Sequence, residues 1–496
     1  MKTETVVQIT DYRPVKSAHQ YFVPIGRKNM AIKSPAENKR YHFIGIGGVG
    51  TSALAAILMK EKAIITGSDM QDSVLTERLS KGGAKVAVGH SVDNLPEKLD
   101  GVVISAAVKD DNPELQAARQ RKIMVYKYAQ MLGLVMDRYK GIAIAGTHGK
   151  STTTGWLVCV LKKLGIEPNF VVGADILQLG SSSGVGSSDI FVAEACEYDR
   201  SFLNLHPKIG AILNIEPDHL DYYSGIDEIV EAFAAFADNI SSDGVLVAGM
   251  QDANVAKILA QISGKKEILT FSIAAGSAIS ARNIKYTPDF TQFDCFHHND
   301  LLGTAKIKLA GEHNVRNALA VVACTQAIGI EAKDVIDCLG DFEGMDRRVM
   351  EKTKINGVII LDDYAHHPTE IKASLKAVRQ KYGNKKIFCV FQPHQYSRTR
   401  FLLNDFAESF KLADMTIVPD IYFVRDTEKS KNEVNSQMLA DAIKQKGSHA
   451  LFIDSFEKIC DFLKDNVKSG DILISMGAGD VWKVTDEYIR WLGKNS

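Results

Sequence analysis

Short apolar runs alternate with longer segments of helical periodicity along most of the chain. The first run is Tyr41–Ile44, and an Ala/Leu-rich helical pattern, "TSALAAIL", follows it after a glycine-rich turn. "KAIITGSD", "AKVAVGH" and "DGVVISAAV" come next, each a short apolar run closed by a turn. Strands alternating with helices predict a parallel sheet with right-handed crossovers. The alternation resumes near Lys140 with "GIAIAG", "DIFVAE" and "IGAILNIE", and again beyond Arg347 with "GVIILDDY", "KIFCVFQ", "MTIVPD" and "DILISMG". Between the helical pattern after Lys150 and "DIFVAE" lies a polar Gly/Ser stretch, 181–189, which reads as a mobile surface connector. No internal repeat is evident. The pattern predicts an α/β protein of three units, 39–138, 139–345 and 346–496, preceded by an extension over 1–38.

The length of 496 residues agrees with about three domains at ~150 residues each. A formal charge of −1 argues against nucleic acid as a partner. The first forty residues differ, with eight Lys/Arg against three Asp/Glu, and read as a solvated tail or a docking arm. No window approaches the ~20 apolar residues of a membrane span, so membrane insertion is not expected. Seven cysteines, at 159, 196, 295, 324, 338, 389 and 460, form no C-x-x-C pair. That pattern fits reduced thiols in a cytoplasmic enzyme rather than disulfides or a zinc site.

Two glycine loops carry the candidate chemistry. Gly45-Ile-Gly47-Gly48-Val-Gly50 joins the first strand to its helix, with Asp69 nineteen residues further on. This is the spacing of a dinucleotide site, but bare amides at a helix N-terminus bind any diphosphate. The second loop, "GTHGKST", has Gly146, Gly149, Lys150, Ser151 and Thr152 in the order G-x-x-G-K-S-T. It supplies converging amides, a cation and hydroxyls, the groups needed to hold ATP phosphates and Mg²⁺. Glu194 ends one apolar run and His219 follows another. Strand ends of this kind border the ligand crevice of an α/β sheet, which makes both candidate metal ligands.

Taken together, "FIGIGGVGTSALA", "GTHGKSTTT", "EACEYDRSFL", "NIEPDHLDYY", "GEHNVRNALA", "LDDYAHHPTE" and "FQPHQYSRTR" resemble the Mur ligases. These are the ATP-dependent amino-acid ligases of bacterial peptidoglycan synthesis, and the chain is most similar to their alanine-adding branch. The resemblance implies a Rossmann-like first unit, a central P-loop ATPase-type unit and a Rossmann-like C-terminal unit. It implies that UDP-N-acetylmuramate binds the first unit through Gly45, Gly47, Gly48, Gly50, Ser68, Asp69 and Ser105. ATP would be held by the 146–152 loop, including Thr147 and His148, with His313, Asn314 and Asn317 on the adenine side. Arg347 and Asp363 would lie near the nucleotide at the junction with the last unit. Two Mg²⁺ ions would be held by Ser151, Glu194 and His219. Tyr364, His366, His394 and Arg398 would surround L-alanine and the phosphates, with either histidine as the base.

The chain departs from the family pattern at Thr51, at "SAAV" (105–108) and at Tyr128, positions commonly Met, Ser-Ser-Ala-Ile and Arg. The implied reaction is phosphorylation of the lactyl carboxylate by ATP, then attack of the alanine amine on the acyl phosphate. Closure of the C-terminal unit about 344–348 would bring the reactants together. Several sister ligases carry a carbamylated lysine beyond the Asp-His pair, whereas no lysine occurs here from Ile209 to Ala256. A monomer and a dimer are equally compatible with the sequence. Two rivals are a ligase that reattaches recycled peptides to the same nucleotide sugar and a non-catalytic nucleotide sensor.

Overall fold

The computed structural model describes residues 36–494 apart from 263, 275, 425 and 427. Most of the basic extension therefore lies outside the described residues. The first unit is a five-stranded parallel sheet. Its spatial order is Lys85–Val88, Ile64–Asp69, Arg40–Ile44, Gly101–Ile104, Val125–Lys127. The first strand is central and the chain winds outward from it in both directions, so its C-terminal end marks a switch in strand order, where ligands bind such sheets.

The central unit holds ten strands. Seven form a parallel core in the order Ile279–Tyr286, Glu267–Ser272, Val245–Gly249, Ile209–Ile212, Lys140–Ala145, Ile190–Glu194, Asn169–Ile176. Lys140–Ala145 and Ile209–Ile212 are fully apolar at their inner positions because helices cover both faces. Helices Lys150–Lys163 and Glu312–Ala327 bury almost their whole lengths against one another and the sheet. One edge is extended by the antiparallel strands Thr291–His297 and Asp300–Ile307.

The other edge corrects the expected surface connector. Ser181–Gly184 is a strand, antiparallel to Asn169–Ile176 with Gly184 opposite Phe170. A Cβ on Gly184 would lie 2.2 Å from the Phe170 ring, so the small residues that suggested a mobile loop are what let this edge pair beneath an aromatic side chain.

The C-terminal unit is a six-stranded sheet ordered Met350–Ile355, Val358–Asp363, Ile472–Met476, Ile387–Phe391, Met415–Val418, Ala450–Phe452, parallel except at its first strand. It has its own apolar cores on the two faces. The first two units each have a core of their own, and a further core runs through both. Met131, Leu132, Val135 and Met136 of the first pack with Phe202, Phe233 and Phe236 of the second. A Cβ on Gly133 would sit 1.9 Å from the Asn204 carbonyl, so the helix Tyr128–Met136 lies directly on central-unit backbone. Each fully buried Phe side chain in such a core is worth roughly 1.5–3 kcal/mol.

The junction to the last unit is anchored on the central side. Met345 is fully buried and bridges Ile176, and the Asp346 amide donates to the Asp175 carbonyl at 2.8 Å. Arg347 and Val349 then take left-handed φ values of 54° and 48°. This conformation is costly for a β-branched residue, which places the change of chain direction immediately after the anchor.

Candidate active site

The phosphate loop connects the central strand Lys140–Ala145 to the helix Lys150–Lys163. Gly149 is its N-cap at φ 85°, and a Cβ there would meet Asn317 Oδ1 at 2.6 Å. Only glycine satisfies both the backbone and the space. Asn214 braces the loop, its carbonyl accepting from the Thr147 amide at 3.0 Å and its Oδ1 from the His148 amide at 2.8 Å. The first-turn amides of the helix have no acceptor within it, which leaves an anion site facing the cleft. His148, Gly149, Ser151, Thr152, His313, Asn314, Asn317 and Asp363 all line one cavity of about 350 Å³. Burial pushes His313 down to about 4, so its ring is neutral there, and burial pushes Asp363 up to about 6.

Lys150 is folded back onto its own loop. Its Nζ donates to the carbonyls of Gly146 (2.5 Å) and Thr147 (3.1 Å) and to Glu197 Oε1 (3.0 Å). Burial favours the neutral amine, but the Glu197 charge outweighs it and holds the lysine well above its ordinary range. Ser151 Oγ donates to Glu194 Oε2 at 2.9 Å, and the Gly173 amide donates to the same oxygen at 2.8 Å. A hydroxyl and a carboxylate meeting at the mouth of a phosphate loop fit the oxygen preference of Mg²⁺. His219, at φ 53°, brings Nε2 to 3.6 Å from Glu197 Oε1 and packs edge-on against Tyr198. Glu197 is thus a site residue that the motif reading passed over, although it lies within the same quoted strand end as Glu194.

The C-terminal unit closes over this region. Arg398 donates from Nε (3.1 Å) and Nη2 (2.9 Å) to Asp218 Oδ1, with both side chains buried. His148 lies between two carboxylates, Nε2 3.4 Å from Glu216 and Nδ1 3.3 Å from Glu370 of the last unit. Thr369 donates to Glu216 at 2.5 Å, and His367 Nε2 to the Pro217 carbonyl at 3.2 Å. His366 directs Nδ1 at the Tyr364 carbonyl, 3.0 Å away, and its ring centroid lies 6.0 Å from that of His394. His394 stacks on Tyr422, and its Nδ1 accepts from Arg398 Nη1 at 3.3 Å.

Arg347, expected near the nucleotide, turns the other way. Its left-handed backbone directs the guanidinium to Asp362 Oδ2 and the Gly477 carbonyl, each at 2.8 Å, and it flanks the Tyr364 ring. The next residue, Arg348, lines the 350 Å³ cavity instead and lies 3.6 Å from Glu370. Tyr364 is held between the two guanidinium groups.

In the first unit, Gly48 caps the helix Val49–Lys60 without a side-chain bond, leaving its first amides open. Thr51 Oγ1 donates to the Gly45 carbonyl at 2.7 Å and fastens the loop, while Ser105 lies against Gly45. Asp69 Oδ2 accepts from the Gly47 amide at 2.8 Å, so this carboxylate braces the loop. Ser68 is fully buried and donates to Glu114 Oε2 at 2.6 Å, which makes it a support beneath the site. The Tyr128 ring lies on Gly50, where a Cβ would meet it at 2.6 Å, and burial raises the phenol, with the nearby Glu194 charge adding to it. Tyr128 therefore stands between Gly50 of the first loop and Glu194, the carboxylate that Ser151 of the second loop contacts. Among the described residues no helix is long and apolar enough to cross a membrane.

Three family domains match this chain in succession. They are the Mur ligase family catalytic domain over residues 40–140, the Mur ligase middle domain over 144–325, and the Mur ligase glutamate ligase domain over 347–479. A UDP-N-acetylmuramate–L-alanine ligase of Caldanaerobacter subterraneus subsp. tengcongensis is 42% identical over 91% of this chain and 97% of its own. One from Acetivibrio thermocellus is 40% identical over 93% and 98%. Among solved structures, the UDP-N-acetylmuramate-alanine ligase of Thermotoga maritima superposes with a TM-score of 0.75 at 26% identity, covering 92% of this chain and all of that one. A murein peptide ligase from Psychrobacter arcticus shares the fold, with a TM-score of 0.66 at 24% identity over 92% and 99% of the two chains. With the two glycine loops, the closing third unit and these likenesses in view, the chain belongs to the Mur ligase family.

Proposed function

We propose that this protein joins L-alanine to the lactyl carboxylate of UDP-N-acetylmuramate, with ATP converted to ADP and phosphate, in cytoplasmic peptidoglycan precursor synthesis. The observation that carries this reading is that Tyr128 links the two glycine loops, lying on Gly50 of one and near Glu194, the partner of Ser151 in the other, in a chain 42% identical to named alanine ligases.

The glycine loop at 45–50 and the open amides of its helix hold the diphosphate of the sugar nucleotide. The 146–152 loop holds the ATP phosphates, and Lys150 moves from Glu197 onto them, screening the repulsion between triphosphate and carboxylate. Ser151 and Glu194 would hold Mg²⁺ on one side and His219 on the other; the ions supply charge neutralisation at the transferring phosphoryl group. The lactyl carboxylate oxygen takes the γ-phosphoryl group and ADP leaves, which turns a poor leaving group into phosphate. The alanine nitrogen then bonds to the acyl carbon, the C–O bond to phosphate breaks, and a proton leaves the nitrogen.

The hydrogen bonding favours His366 over His394 as the acceptor of that proton. His366 commits its Nδ1 hydrogen to the Tyr364 carbonyl, so Nε2 carries a free lone pair. Burial pushes the ring down to about 4 and keeps it neutral. His394 receives an Arg398 N–H on Nδ1, so its remaining nitrogen is a donor. It suits contact with an alanine carboxylate instead.

Phosphate release and product mass test the reading. Release should require both L-alanine and UDP-N-acetylmuramate, and the sugar nucleotide should gain the mass of one alanyl residue. Turnover with an intact tripeptide in place of alanine would instead assign the chain to peptide recycling.

A further inference from the structure

Glu197 is only 3% exposed, and its charge is met by His219 and by Lys150, the permanent cation, which the reaction requires elsewhere. Its two oxygens lie 3.0 and 2.9 Å from Lys150 Nζ. When Lys150 turns to the ATP phosphates, this buried carboxylate loses its cation. A buried anion without a partner is strongly disfavoured, so another positive charge must take the vacated position.

The surroundings determine which kind of charge. Glu197 Oε1 is 3.6 Å from His219 Nε2. In an octahedral shell with bonds of about 2.1 Å, adjacent ligands lie roughly 3.0 Å apart and opposite ones about 4.2 Å apart, so one divalent ion can span this pair with little movement. The segment is also fixed from outside. Tyr223 Oη donates to the Glu197 carbonyl at 2.6 Å, and Tyr198 packs against the His219 ring. His219 is held besides by its neighbour Asp218, which Arg398 grips.

We propose that Glu197 is the carboxylate ligand of the second Mg²⁺ ion, which it shares with His219, and that Lys150 and this ion exchange on Glu197 as nucleotide binds. The proposal rests on the ATP-dependent reading of the site. In the nucleotide-free protein the lysine occupies the carboxylate and keeps the second metal position closed. With nucleotide bound, the lysine serves the phosphates and the metal occupies Glu197. Full charge in the pocket is then assembled only when ATP is present.

Mn²⁺ binding to the full-length protein, counted by electron paramagnetic resonance, tests this without relying on turnover. With a non-hydrolysable ATP analogue and UDP-N-acetylmuramate, the unsubstituted protein should bind two Mn²⁺ and Glu197→Gln one. Without nucleotide, Lys150→Met should bind Mn²⁺ at least tenfold more tightly than the unsubstituted protein, because the competing ammonium is gone. The double variant Lys150→Met/Glu197→Gln, which removes both charges together, should lose that gain. Two ions retained in Glu197→Gln, or no gain in Lys150→Met, would overturn the proposal. Should Glu197→Gln fail to fold, the comparison of Lys150→Met with the double variant decides it. An unsubstituted protein that binds neither nucleotide would refute the ligase reading itself. One that ligates alanine while Glu197→Gln keeps both ions would refute only the metal assignment.

Discussion

Arg398 and Asp218 form a buried ion pair across two units, with both guanidinium bonds on a single carboxylate oxygen. That same oxygen accepts the amide of His219 at 2.7 Å. The C-terminal unit therefore grips the peptide that carries His219, the histidine proposed here as a metal ligand. Removing one member of such a pair leaves an uncompensated buried charge, a loss of about 3–5 kcal/mol. Arg398→Ala should then open the last unit and lower kcat by on the order of 100-fold or more, by the same principle. Small-angle scattering should register a larger radius of gyration. An unchanged radius with reduced activity would confine Arg398 to substrate contact.

Lys150→Ala should abolish ligation and leave UDP-N-acetylmuramate binding nearly intact, because the lysine is on the central unit and the sugar nucleotide's loop is on the first. Calorimetric titration checks this. Lost sugar binding in a folded variant would contradict the assignment of the two loops.

His148 makes closure sensitive to pH. Burial alone would lower its pKa, but hydrogen bonds to Glu216 and Glu370 outweigh that and raise it to about 9. Glu216 is drawn down to about 2 by the same contact, against the effect of its burial. A group with a raised folded-state value stabilises fully below its ordinary value, about 6.5, and the contribution fades as pH climbs through about 9. The ligand-free protein should lose thermal stability across that interval, and His148→Gln should flatten the profile. An equally steep profile in the variant would show that another group governs it.

Activity should be indifferent to bicarbonate. No lysine occurs between Ile209 and Ala256 to form a carbamate, and Glu197 already places a carboxylate beside His219. Assays in CO₂-depleted buffer, with and without bicarbonate at constant pH, provide the check. A reversible loss restored by bicarbonate would mean that a carbamylated lysine contributes after all.

Features written in consecutive residues were the legible ones. The strand–loop–helix at 140–163 is visible because glycine, lysine and serine spacing acts locally on one helix N-terminus. The alternation of apolar runs likewise reports sheets buried on both faces. Partners brought together by tertiary packing were not legible. Nothing in "EACEYD" distinguishes Glu197 from Glu194 until Lys150 and His219 are placed beside it. Glu216, Asp218 and Glu370 acquire their roles only when the third unit docks. Arg347 and Arg348 are equivalent in sequence, and a left-handed backbone decides which one faces the 350 Å³ cavity. Ser181–Gly184 was misread because composition reports flexibility and cannot report a pairing strand across the edge.

The core that runs unbroken from the first unit into the second has a consequence for timing. In the proposed reading, sugar nucleotide and ATP would sit on the one frame that these two units share, so phosphoryl transfer between them would need no large rearrangement. The amine would arrive on the C-terminal unit, whose two cores include no residue of that shared core, and that unit is also the cover. A reactive acyl phosphate formed on that frame would then meet its nucleophile by the same movement that shuts out bulk water, and the order of events would limit its hydrolysis.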